Sequence, residues 1–179
     1  PLGARIEYTI LREGERLTKF VDAQTRKPRL LPPRQPTPRP EWLVLGGLVF
    51  TPLLPDYEAL VPKCKLQLIH GPPTDDCHEV VMLLRVLQSE VNIGYEDVCG
   101  MLESFNGEPV LSLGHLARLA QSAQEAQSAQ LEFMLATGEL IVLDAPHTWE
   151  TEGGLFETHS IPARCSFDPY APEAMNGGA

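Results

Sequence analysis

The sequence predicts an α+β fold that is mainly β and carries one principal helix. Three observations predict it. Apolar runs of strand length recur between Trp42 and Asp144, several of them rich in β-branched residues. Two of the breaks between runs, at Asn106-Gly107 and Thr137-Gly138, supply the glycine that a tight hairpin turn needs for positive φ. One longer stretch, after Ser112, joins a helix N-cap to apolar residues at helical spacing.

In chain order, residues 6–22 read as a β-hairpin. Ile6, Tyr8 and Ile10 alternate with Glu7 and Thr9, residues 12–15 turn, and Leu17, Phe20 and Val21 return. A two-stranded hairpin is marginal alone in water, so it needs a partner: the following domain, another copy of the chain, or a module outside it. The next stretch has prolines at 28, 32, 33, 36, 38 and 40. That density fixes φ and removes donors, which predicts an extended, stiff linker over residues 28–41. Its P-x-x-P spacings beside Arg34 and Arg39 would also suit an SH3-type partner.

A compact domain is expected from Trp42. It opens with "WLVLGGLVFTPL", a strand-like run with Gly46-Gly47 at its centre. Glycine costs a strand both packing and entropy, so the pair implies a close backbone approach or a tight bend. Residues 55–60 suit a short helix and 71–76 a loop. Residues 79–93 form a long apolar run whose valines and isoleucine favour strand, broken at Gly94. Residues 98–105 form a strand that enters the Asn106-Gly107 turn. The helix capped by Ser112 runs through His115, Leu116, Leu119 and Ala120 and frays in "AQSAQEAQSAQ". Residues 131–136 and 140–144 form a second hairpin. From about Ala145 the chain reads as an irregular extension to residue 170, with 171–179 a flexible tail.

The net charge is −10, but it is unevenly spread. Residues 1–55 hold nine Lys/Arg against five Asp/Glu, and residues 56–179 hold five against nineteen. Phosphate neutralisation needs clustered cations on the main body, so nucleic acid is not an expected partner. No run reaches the roughly 18 apolar residues of a membrane span, so direct membrane insertion is not expected. The opening residues carry no basic-then-apolar signal pattern. Cys64, Cys77, Cys99 and Cys165 contain no C-x-x-C pair. They are read as structural or incidental thiols, with a disulfide or a metal site as the lesser alternatives. No metal or other cofactor is expected.

The stretch "GYEDVCGMLESFNGEPVLSLGHLARLAQSA" resembles the central part of a PDZ domain, where a strand and an Asn-Gly-type turn precede the groove helix. The blocks "LVLGGLVFTPL", "VLQSEVNIGYED", "FNGEPVLSLGHLARL" and "HSIP", in that order, resemble the second PDZ domain of plant and algal Deg/HtrA-type serine proteases over residues 42–170. That resemblance implies a PDZ-like, partly open β-barrel or sandwich with one principal groove helix. By the same resemblance, residues 1–27 are the closing hairpin of a preceding PDZ-like domain. The parent would be a serine endopeptidase, but no Gly-Asn-Ser-Gly-Gly-like nucleophile motif occurs, so this chain itself is expected to be non-catalytic.

PDZ domains add a peptide as a strand to a sheet edge and hold its terminal carboxylate on backbone amides. Leu45, Gly46, Gly47 and Leu48 match the family's hydrophobic-x-Gly-hydrophobic loop, and Leu48, Val49, Phe50 and Thr51 would be the strand with a free edge. Leu48, Phe50, Leu116 and Leu119 are the implied apolar pocket. His115, early in the helix, would either read the peptide's third-from-last side chain or simply face solvent. Pro52 limits the ladder to four residues, and Trp42 and Leu43 stand where the family often has a charged residue. The groove could thus take C-terminal peptides, an internal segment such as the one around His159–Pro162, or another subunit of the same protease. The resemblance implies a peptide-binding, assembly-regulating module, or alternatively an oligomerisation spacer whose groove holds its own tail or a neighbour. It implies a chloroplast location, with nucleus or mitochondrion as alternatives.

Overall fold

A computed structural model of the chain describes residues 5–22, 29–32 and 40–170. It contains two compact units, an N-terminal hairpin and a domain within Arg29–Glu173. In the hairpin, β1 (Arg5–Arg12) pairs antiparallel with β2 (Glu15–Asp22) through an unbroken register from Arg5↔Asp22 to Arg12↔Glu15. Strand alternation sets Ile6, Tyr8, Ile10 and Leu17 on one face. Arg5 lies on the other, with its guanidinium 4.7 Å from the Phe20 ring centroid.

The domain begins with β3 (Leu43–Leu45) and β4 (Leu48–Pro52), followed by 3₁₀ turns at Pro55–Leu60 and Lys63–Lys65 and the short α1 (Leu66–His70). Then come β5 (Val81–Val86), β6 (Gly100–Phe105), β7 (Glu108–Pro109), α2 (Leu113–Glu125), β8 (Gln130–Leu135), β9 (Leu140–Asp144) and α3 (Ala145–Thr158). The strands make one antiparallel sheet in the order β3-β4-β5-β6-β8-β9, with β7 on β6. The architecture is α+β and mostly β, and the sheet is open rather than closed into a barrel.

The turn chemistry of the sequence is realised in the hairpins. Asn106 and Gly107 take φ of +48° and +79° between β6 and β7. The Asn106 side chain accepts from the Glu132 amide at 2.8 Å and so ties the turn to β8. The Ser112 hydroxyl accepts from the His115 amide at 3.0 Å and starts α2, as its place before the apolar spacing predicts. The Ala-Gln-Ser tract does have a buried face: Ala120 and Ala123 pack beside Leu113, Leu116 and Ala117, and the helix continues to Glu125.

Two expectations are corrected. The extension from Ala145 is not irregular up to Thr158 but forms α3. Asp144 caps it by accepting from the His147 amide at 2.9 Å, and Pro146 sits in the first turn, where its missing N–H costs no helical bond. The strand expected over 79–93 stops at Val86. Beyond it the chain folds around buried Asn92, whose side chain bonds Ser89, Leu87 and Gly46. Within the expected linker, Leu30 is buried, and the Leu30 and Leu31 amides donate to Gly71 and Ile69 at 3.1 and 2.8 Å.

The larger core cluster joins β3, β4, β6, β8 and β9 to α2, with Phe50 stacked on Phe133 at 5.4 Å and Phe105 tilted on it at 5.0 Å. The smaller cluster holds Leu30, Leu53, Val61, Ile69, Val80, Met82 and Met101. Such interlocked aromatic and aliphatic packing fixes the sheet against α2, where the candidate groove residues sit.

Candidate functional site

Gly46 and Gly47 form a two-residue turn between paired Leu45 and Leu48, at φ of +54° and +86°. Positive φ at both central positions is the type I′ geometry that suits a twisted hairpin. The turn is enclosed. A Cβ on Gly46 would lie 2.5 Å from Leu143 Cδ1, and one on Gly47 would lie 2.5 Å from the Leu87 carbonyl oxygen. The Gly47 carbonyl accepts from the Leu87 amide at 2.7 Å. The glycine pair is thus a tight bend, with the Gly47 backbone packed against the Leu87 carbonyl.

The strand expected to have a free edge has both edges paired. β3 covers one side of β4 through Leu43↔Phe50, Val44↔Val49 and Leu45↔Leu48, and β5 covers the other. Leu45, Leu48, Phe50 and Leu116 are fully buried in the core cluster, Val49 is half-buried, and Leu119 packs against the cluster edge. Leu119 also borders a shallow cleft with Phe105, Asn106, Ser122 and Ala126. His115 is half-buried in the first turn of α2, where its Nδ1 accepts from the Leu111 amide at 3.3 Å.

The outer edge of β3 is covered by the chain's own C-terminal segment. The Val44 amide donates to the Arg164 carbonyl at 2.8 Å, and the Ser166 amide donates to the Trp42 carbonyl at 3.0 Å, bracketing an antiparallel bridge between Leu43 and Cys165. Cys165 and Phe167 pack against the main core. The same segment follows α2 on its other side. Arg118 donates to the Pro169 carbonyl at 2.8 Å, the Tyr170 hydroxyl donates to Gln121, and Arg164 Nη1 donates to Gln124 at 3.1 Å. Residues 159–162, the internal segment suggested by the sequence, instead form the turn that leaves α3, with Ser160 at φ +55°.

Among the described residues, the most buried charge lies beside the glycine turn. Glu152 on α3 is 5% exposed and accepts from Arg164 Nε at 2.9 Å and from Arg164 Nη2 at the same oxygen. The Arg164 guanidinium lies 5.0 Å from the Trp149 ring centroid, a cation–π arrangement. Burial pushes the Glu152 carboxyl above its ordinary range, and Arg164 together with the Gly46 backbone N–H opposes that rise without cancelling it. Glu152 Oε1 and Trp149 Nε1 are both buried with no hydrogen-bond partner.

Sequence reading offered the chain's own tail as one occupant of the groove but did not single out Val44, Trp149, Glu152 or Arg164. The signal for α3 was present: Ala145, Thr148, Glu152 and Leu155 recur at helical spacing, although two of the four are polar. All four cysteines are free. Among the described residues, no group of three or more His, Cys, Asp or Glu could hold a metal ion, and no helix is long and apolar enough to cross a membrane.

A sheet edge lined by a helix, with an added strand seated between them, is the architecture of a peptide-binding β-augmentation module. A family model for the PDZ domain matches residues 31–168, and the chain belongs to that family. Over 93% of its length it is similar to two Do-like proteases of Arabidopsis thaliana. It is 29% identical over 176 residues to "Protease Do-like 2, chloroplastic" and 28% identical over 171 residues to "Putative protease Do-like 3, mitochondrial". The chain spans 28% and 29% of those relatives' lengths, and the part of it that the family model covers is a PDZ domain, a binding module.

Proposed function

We propose that this chain is the second, C-terminal PDZ domain of a Deg/HtrA-type serine protease, preceded by the last hairpin of the first. In that role it binds peptide segments of substrates or of neighbouring subunits and so regulates assembly of the protease. The observation that carries this reading is the strand added to β3 by residues 164–166, which makes two backbone hydrogen bonds in the manner of a bound peptide. The site-residue set given by resemblance, Leu45–Phe50 with His115, Leu116 and Leu119, is retained as the wall and floor of the groove rather than as open contact positions. Names of the relatives support an organelle, the chloroplast first and the mitochondrion second.

Peptide titration followed by amide chemical shifts tests the reading. Binding in the groove shifts Val44 and residues 45–50, whereas a domain that never releases its C-terminal segment leaves them unmoved at every peptide concentration. The second outcome supports the alternative, a structural spacer whose groove holds its own tail, a reading that the Arg164–Glu152 pair favours. Sedimentation of the chain with and without Arg164→Ala separates the two further, because only an assembly regulator changes oligomeric state when the segment is loosened.

A further inference from the structure

The groove contains a charge of the wrong sign for a terminal carboxylate. Glu152 is more than nine-tenths buried, and its ionisation is influenced by the Gly46 N–H, one of the amides that a carboxylate-binding loop would offer to a peptide end. Two carboxylates brought together in such a site repel strongly, because little water screens them. A guanidinium suits it. Arg164 places two donors on Glu152 Oε2, a third on Gln124 at 3.1 Å, and its plane over Trp149. The arginine in place does not exhaust the site, since Glu152 Oε1 and Trp149 Nε1 remain buried and unpartnered. A guanidinium free of the α3 tether could fork across both carboxylate oxygens, which Arg164 does not do.

From this geometry we propose that the groove between β3 and α2 recognises internal peptide segments through an arginine held by Glu152, Trp149 and Gln124, and not a free C-terminal carboxylate. The proposal rests on the peptide-binding reading above and names its ligand class. The seated segment supplies the rest of the pattern. After the arginine comes Cys165, a small side chain facing the core, and two residues further the aromatic Phe167 does the same. The ladder bonds at Val44 and Trp42 need only a backbone, so they accept any segment extended through this register.

The test uses the 179-residue chain carrying Arg164→Ala, which empties the arginine site. Three peptides are titrated into it: residues 163–170 capped at both ends, the same peptide with alanine for its arginine, and an apolar peptide with a free C-terminal carboxylate. Signals of the Val44 and Gly46 amides and the Trp149 indole N–H report binding. The arginine peptide is expected to bind at least about tenfold tighter than either of the others, and Glu152→Gln is expected to erase that preference. Equal or tighter binding of the carboxylate peptide overturns the arginine proposal and leaves peptide binding standing. Absence of binding by all three overturns both. If Arg164→Ala does not fold by circular dichroism, Ser166→Pro serves instead, since it removes the Ser166 amide and hydroxyl that bond Trp42 and so loosens the segment from β3. In that background a free arginine peptide must still outcompete its alanine version.

Discussion

The side-chain amide of Asn92 donates to the Gly46 carbonyl at 2.8 Å and also to the Leu87 carbonyl at 2.8 Å. Its own oxygen accepts from the Ser89 amide at 3.1 Å. One buried side chain, 1% exposed, thus joins the glycine turn to the loop that follows β5. Replacing Asn92 with Ala leaves two carbonyls short of a donor in a site closed to bulk water. Each such group costs roughly 1–3 kcal/mol, so a loss of about 2–6 kcal/mol is expected in urea denaturation. A loss within experimental error would mean that water enters the loop freely.

Gly47 has two separate reasons to be glycine: its φ of +86° and the Leu87 carbonyl and Asn92 amide beside its Cα. Gly138 shares the φ, +86°, and has nothing within 4 Å of a Cβ. The pair separates strain from crowding. Gly138→Ala should cost only the left-handed penalty, about 1–2 kcal/mol. Gly47→Ala should cost at least about 1 kcal/mol more, because the Leu87 carbonyl and an Asn92 amide held by two hydrogen bonds stand in the way.

Glu152 supplies a pH signature. Its folded-state pKa is raised, chiefly by burial, so the folded protein holds this proton more tightly than the unfolded chain. The favourable contribution is complete below the unfolded value, near 4.5, and is lost as pH rises through the folded value. Glu152→Gln removes the titrating proton but keeps the shape. The variant should match the wild type near pH 4 and gain on it toward neutrality, as read by denaturation midpoints across that range. A wild type that gains on the variant as pH rises would show that Arg164 outweighs burial.

Gly153 and Gly154 lie within α3 on its exposed side, and a Cβ on either would meet nothing within 4 Å. Helical glycine is disfavoured relative to alanine by roughly 0.5–1 kcal/mol. Gly153→Ala should therefore raise stability by about that amount, seen as a higher thermal midpoint. No gain would indicate that this turn of α3 is covered by something outside the chain.

These cases also mark what could be read from residues alone. The β6–β7 turn, the β8–β9 hairpin and the start of α2 were legible because Asn106, Gly107, Gly138 and Ser112 act locally: each sets φ or accepts a bond within a few residues. α3 was hidden because Pro146, Gly153, Gly154 and the threonines argue against helix one at a time, while its buried side depends on Leu143, Gly46 and Arg164. The PDZ fold came from resemblance. The covering strand did not, because its bonds join Trp42 and Val44 to residues more than a hundred positions away. Nothing in local periodicity encodes such a pairing.

The seated segment has one more consequence. Unpaired strand edges are sticky, and a protein that leaves one open invites sheets from other molecules to zip onto it. Here the Val44 amide and the Trp42 carbonyl are already paired with the chain's own Arg164 and Ser166. In the reading proposed above, recognition and solubility share one short stretch of backbone: a peptide that displaced this segment would also take over the task of keeping the edge covered.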